Sequence, residues 1–295
     1  MSAPGATVLF DAPGPRARRR TRLVSVAAGA LLLALVVAAL VRLSARGQLD
    51  AELWAPLVDP RTEEFPVVWG RLAEGLSFTL RAATAATVAS AVIGVAIAAA
   101  RLSLGRYSRL PLVGAVELLR GLPVVVTIFY VSVLLPEVGL DVGNFWFLVV
   151  GLTAYNCVII SEIVRAGVVA LPRGQAEAGL AVGLTRGQTM RFVQLPQALR
   201  AMLPALISQL VVIIKDTALA SIVLANVRDV IWHADRIRGS LDDPLQMYAV
   251  VAVLFVVICL ALDRLAHAVD RRLGRARTSR ASTAATRASE ATTGA

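Results

Sequence analysis

The chain has 295 residues, of which 57% are hydrophobic, a mean hydropathy of +0.70 and a formal charge of +10. That mix is too apolar for an ordinary soluble domain and predicts an all-α integral membrane protein. Its 2 cysteines and 2 histidines are widely separated, so neither a disulfide framework nor a metal centre is expected, and no cofactor.

Crossing the hydrocarbon takes about 20 mostly apolar residues. Charge-free runs occur at 23–41, 82–100, 121–136, 142–161 and 244–262, and a sixth, 201–227, is interrupted only by Lys215 and Asp216. Six transmembrane helices are therefore predicted, because each span must satisfy its own backbone hydrogen bonds. The first lies in "RARRRTRLVSVAAGALLLALVVAALVRLSARG". Its apolar run is long for a signal peptide and no A-x-A cleavage site follows, so it reads as an uncleaved anchor. The segment 42–71 holds Pro56, Pro60 and Pro66 and reads as an external connector with a short interfacial helix. The tail 269–295 is rich in Ser, Thr, Ala and Arg and is expected to be disordered.

Arginine placement orients the spans. With residues 1–22 as a cytoplasmic tail, most of the 30 basic residues fall on inner segments. That bias places both termini in the cytoplasm, in a plasma-membrane protein. The positive charge thus records topology, and no soluble basic module for nucleic acid is visible.

This orientation puts "LPRGQAEAGLAVGLTRGQTMRFVQLP" on the cytoplasmic side. Leu171-Pro172 marks a helix start, and the helix stops near Gly183. Thr185 followed by Gln188 has capping-box spacing for a second short helix, which Pro196 is expected to end. The loop is therefore a compact helical knob. Its small residues Ala178, Gly179, Ala181 and Gly183, expected to be exposed, would let another surface come close.

Glu177-Ala178-Gly179, three residues, Gly183, nine residues, then Val193-Gln194-Leu195-Pro196 resembles the EAA loop of ABC importer permeases. Gly179 replaces the usual second Ala and Val193 the usual Ile. The flanking "LPQALRAMLP", "KDTALASIV", "LRGLP" and "AYNCVIISEIVRAG" are similar to the polar amino acid subgroup of these permeases. The extra first span and "VLFDAPGPRARRR" resemble its actinobacterial glutamate-uptake branch. The resemblance implies a five-helix permease core over 72–268, behind one added helix at 23–41. It implies that Glu177, Ala178, Gly179, Gly183, Leu195 and Pro196 form the coupling helix that docks an ATPase. It also implies two ATP-binding subunits, a second, distinct permease chain, an extracellular solute-binding protein, and an amino acid, most simply glutamate, as solute. Glutamine, aspartate or a basic amino acid remain open. In the KDTSL-type motif this chain has Ala218 where Ser is usual.

The sole lysine of the chain is Lys215. A P-loop needs lysine after a glycine-rich turn, so no ATP hydrolysis is expected of this chain. Charge inside a bilayer is costly and marks a path or an interhelix contact. Lys215 and Asp216, with the adjoining Thr217, are candidates for either role. Tyr155 and Asn156 sit in mid-span, where they can meet a zwitterion or tie helices together. Glu162 and Arg165 can pair at i,i+3, as can Glu117 and Arg120, and Arg120 is also a candidate cation for an anionic solute. A secondary transporter or channel would share the spans and buried charges but would not need the EAA loop.

Overall fold

A computed structural model describes residues 14–105, 107–241 and 244–293, with side chains as far as 269 and at Arg271. The opening of "VLFDAPGPRARRR", through Pro13, lies outside the described residues, as does Arg106. The chain starts with α1 (Pro15–Ala45), in which no residue is buried. The short α2 (Ala51–Val58) follows in the connector.

Helix α3 (Glu64–Ser103) is 40 residues long, about 60 Å at 1.5 Å per residue and twice the hydrocarbon thickness. It begins inside the segment expected to be a connector. The reason is that Val68 and Leu72 find apolar partners beyond the membrane, in a cluster with Leu57, Val230, Ala234 and Ile237. Along the apolar half of α3 a small buried side chain recurs every fourth residue: Ala82, Ala86, Ser90, Gly94 and Ala98. Such a seam lets a neighbouring helix come close. A Cβ at Gly94 would stand 2.8 Å from the carbonyl oxygen of Cys157.

The single span expected at 121–136 is instead a bent pair, α4 (Leu110–Gly121) and α5 (Val124–Glu137), meeting at 109°. Pro123 removes a backbone donor and forces Leu122 before it into extended geometry, with φ −87° and ψ 140°. The 14 residues of α5 reach only about 21 Å, short of a bilayer. Helix α6 (Asn144–Val169) is the central strut, with α3, α4 and α5 packed around it.

The chain then forms α7 (Arg173–Ala181), α8 (Arg186–Thr189), a π-helical turn (Met190–Gln194) and α9 (Leu195–Thr217), which returns along α6. The apolar run 201–227 is not one continuous helix. It stops at Thr217 and resumes as the single turn α10 (Ala220–Val223), followed by α11 (Val230–Leu241). Lys215 and Asp216 therefore occupy the last turn of a helix, where a lysine faces the negative end of the helix dipole.

Helix α12 (Pro244–Thr293) packs on α9 and α11, and its part to Val269 is long and apolar enough to cross a membrane. Its backbone stays helical to Thr293, across the segment for which composition predicted disorder; Ala and Arg, frequent there, both favour helix. Among the described residues five helices qualify as crossing segments, or six with the α4–α5 pair counted as one. The architecture is that of a multi-pass helical membrane protein. Ala82 and Ala86, Ile128, Leu148 and Leu152, and Ile213 form the shared core of α3, α5, α6 and α9.

Candidate functional site

The knob stands where α6 leaves the bundle and α9 re-enters it, so α11, beyond the far end of α9, lies at the opposite end of the bundle. Helix α7 starts after Pro172, which takes extended geometry as its N-cap. It ends in a Schellman turn: the Leu184 N–H donates to the Gly179 carbonyl at 3.1 Å and the Gly183 N–H to that of Leu180 at 3.0 Å. That turn needs a left-handed residue, and Gly183 supplies φ +85°. The capping box predicted at Thr185 and Gln188 is formed in both directions, at 3.3 Å and 2.9 Å.

Pro196 does not end a helix. It sits in the first turn of α9, directly after the π-helical turn, so the chain stays helical from Arg186 to Thr217. Proline has no N–H to give the preceding turn, and the wider π turn ahead of it, in which the Leu195 N–H reaches the Met190 carbonyl, accommodates that loss. The knob is welded to the bundle: Met190 is buried with Val168 and Ala198, and Gln197 donates to Gln175 at 2.8 Å.

Of the predicted docking residues, Glu177, Ala178, Gly183 and Pro196 are exposed and Leu195 is half-buried against Ala98, Ile160 and Val164. Gly179 is buried, not exposed, because Thr189 packs on it; a Cβ there would stand 2.6 Å from the Thr189 methyl. Gly183, by contrast, has nothing within 4 Å of such a Cβ, so its constraint within this chain is its left-handed backbone. Leu180, Val182 and Phe192, which the motif did not single out, are exposed at 46%, 76% and 61% and give the knob an apolar surface.

The polar-path candidates do not converge. Asn156 is buried and tied on both sides, donating to the Leu152 carbonyl at 2.9 Å and accepting from Gln209 at 2.8 Å. It is an α6–α9 clasp. Seven residues beyond Gln209, about 10 Å along α9, Asp216 is half-buried and Lys215 exposed. Neither forms an ion pair among the described residues. Thr217 is buried and donates to the Ile214 carbonyl at 2.6 Å. Tyr155 is half-buried, a turn-step away from the Asn156 clasp, and Arg120 is exposed at the end of α4. The Glu162–Arg165 pair forms at 2.9 Å, and the same carboxylate also takes Arg101 of α3. Glu117 and Arg120 do not pair among the described residues. Gln209 and Arg101 were missed because their partners are 53 and 61 residues away.

A helical membrane bundle with a rigid helical knob at one end defines a permease-type membrane component. Residues 90–275 match the family described as "Binding-protein-dependent transport system inner membrane component", and the chain belongs to it. It is 35% identical to the glutamate transport system permease protein GluD of Corynebacterium glutamicum, over 80% of this chain and 85% of that protein. It is 32% identical to the L-cystine transport system permease protein TcyB of Bacillus subtilis, over 70% and 88%. The glutamine transport system permease protein GlnP of Escherichia coli is also 32% identical, over 68% and 92%. Among solved structures, an amino acid ABC transporter with histidines matches with a TM-score of 0.62 and 28% identity, over 69% of this chain and 94% of that one.

Proposed function

We propose that this chain is the membrane-spanning permease subunit of an ATP-driven amino acid importer, and that glutamate is its solute. The observation that carries the reading is the knob: a capped, Schellman-turned helix pair with exposed Glu177, Ala178, Leu180 and Val182, built to be gripped by another surface. Two separate ATP-binding subunits dock on the knobs of this chain and of a second, distinct permease chain, and an external solute-binding protein delivers the solute. Because α8, the π turn and α9 are one helical rod, movement of the knob passes directly into α9 and through the Gln209–Asn156 clasp into α6. The resemblance to a glutamate permease over 85% of its length supports the choice of solute. The cystine and glutamine permeases at 32% identity make those solutes the controls.

The test is uptake of radiolabelled glutamate, glutamine and cystine by a strain deleted for this chain and free of redundant glutamate importers. Glutamate uptake is lost and returns with the wild-type chain. With Glu177→Lys the chain remains in the membrane, but uptake and co-purification of the ATP-binding subunit both fall. Unchanged glutamate uptake on deletion overturns the solute; normal uptake and co-purification in Glu177→Lys overturn the role of the knob.

A further inference from the structure

At the end of the bundle opposite the knob, α11 lies across the extramembrane part of α3. Val230, Ala234 and Ile237 seal the seam against Val68 and Leu72. The start of α11 is seated on Gly75, where a Cβ would stand 2.7 Å from the Asp229 carbonyl oxygen and 2.9 Å from His233 Cδ2. Asp229 caps the helix, its carboxylate accepting from the Trp232 N–H at 2.8 Å. With that end fixed, Trp232 and Arg236 lie one turn apart on one edge of α11 (Val230–Leu241), and Arg228 stands in the loop just before the helix. The edge faces Arg71 and Glu74 of α3 across a cavity of about 320 Å³, whose wall also includes His233.

The charges in this basin are not balanced within the chain. Three guanidinium groups meet one carboxylate, and none of Arg71, Arg228, Arg236 or Glu74 forms an ion pair among the described residues. The Arg236 guanidinium is laid over the Trp232 ring at 4.3 Å, which holds the cation in place with its N–H edge available. His233 is only 5% exposed, and its Nε2 has no hydrogen-bond partner among the described residues. Burial lowers its pKa, Glu74 opposes this, and Arg71, Arg228 and Arg236 reinforce it. A neutral imidazole on the wall is a ready hydrogen-bonding group.

Guanidinium forks match carboxylates bidentately. The single carboxylate, Glu74, disfavours a plain anion but suits a ligand that also carries an ammonium group. The cavity has room for a small amino acid. We propose that this basin is a binding site for a free acidic amino acid, whose two carboxylates take Arg71, Arg228 and Arg236 and whose ammonium takes Glu74. The site deepens the reading of the solute as glutamate, and rests on that reading only for its place at the solute's entrance.

The purified chain in phosphatidylcholine nanodiscs is titrated with L-glutamate and with glutarate, which lacks the ammonium, using saturation-transfer NMR. Wild type binds glutamate, and Arg71→Gln and Arg236→Gln each weaken it about tenfold or more. Arg71→Lys, which keeps charge but not the fork, falls between. Glu74→Gln weakens glutamate and leaves glutarate unchanged or tighter. All three positions are exposed, so the fold tolerates these changes. Absence of glutamate binding to wild type, or equal binding by Arg71→Gln and Arg236→Gln, overturns the proposal. So does glutamate indifference in a chain that retains phosphatidylglycerol through these arginines, which makes the basin a lipid site. The uptake assay fails independently: lost uptake on deletion with no effect of Arg71→Gln on binding leaves the solute standing and removes the basin.

Discussion

Gly179 and Gly183 lie four residues apart and are glycine for different reasons. Gly183 has open space around it but a left-handed backbone at φ +85°, whereas Gly179 is in contact with Thr189. The motif spacing marked both positions, yet it could not separate a conformational glycine from a packed one, because Thr189 approaches only once the Schellman turn has folded the knob. A left-handed β-branched residue costs about 1–2 kcal/mol, so Gly183→Val lowers knob stability by that amount and reduces uptake, while Gly183→Asn, which tolerates this conformation, retains most of it. Equal uptake by Val and Asn variants, measured at matched membrane levels, contradicts the conformational reading. A second residue-scale consequence concerns pH. Burial pushes the Asp229 carboxyl up from 3.8 to about 6, against the hydrogen bonds its neighbours' backbone N–H groups donate. The folded chain therefore holds this proton more tightly than the unfolded chain. The resulting stability is full below about pH 4 and is lost as pH rises to about 6. Asp229→Asn keeps a capping oxygen and removes the titration, so its thermal stability varies less than wild type's between pH 4 and 7. Parallel pH profiles for the two proteins count against this assignment.

At the scale of elements, the apolar runs located most crossing segments and failed where a helix breaks. Pro123 was visible in the sequence, but only the extended Leu122 and the 109° bend turn a proline into two half-helices. The end of α9 at Thr217 was similarly hidden, since "QLVVII" continues the apolar run up to the charges. The α6–α9 contact was half legible: Asn156 was flagged as a polar residue in mid-span, but Gln209, 53 residues on, pairs with it only through the antiparallel return of α9. The clasp adds a polar tie to an α6–α9 contact that is otherwise apolar, as between Ile160 and Val164 of α6 and Leu195, Leu199 and Leu206 of α9. Interhelix hydrogen bonds in membranes contribute about 0.6–1.7 kcal/mol. Gln209→Leu is expected to destabilise the chain within that range. The double variant with Asn156→Leu should cost less than the sum of the singles. Additive losses in unfolding titrations of both singles and the double would show that the two side chains are not coupled.

For the whole molecule, the sides of the membrane follow from charge and not from packing. Helix α9 alone spans about 35 Å between the knob and α10, which sets the knob and α11 on opposite faces whichever way the chain is inserted. From the arginine bias the knob's face, together with both termini, is expected to be cytoplasmic. The native thiols give little background: Cys157 is buried within α6 and Cys259 is half-buried within the crossing part of α12. Ala178 on the knob and Ser240 on α11 are both exposed and accept cysteine with little change in volume. A membrane-impermeant maleimide applied to intact cells is expected to label Ser240→Cys and spare Ala178→Cys. After the membrane is opened, Ala178→Cys becomes labelled as well. The reverse pattern in intact cells would put the knob outside, beyond the reach of any ATP-binding subunit, and would remove both the docking role of Glu177 and the entrance role of the arginine basin.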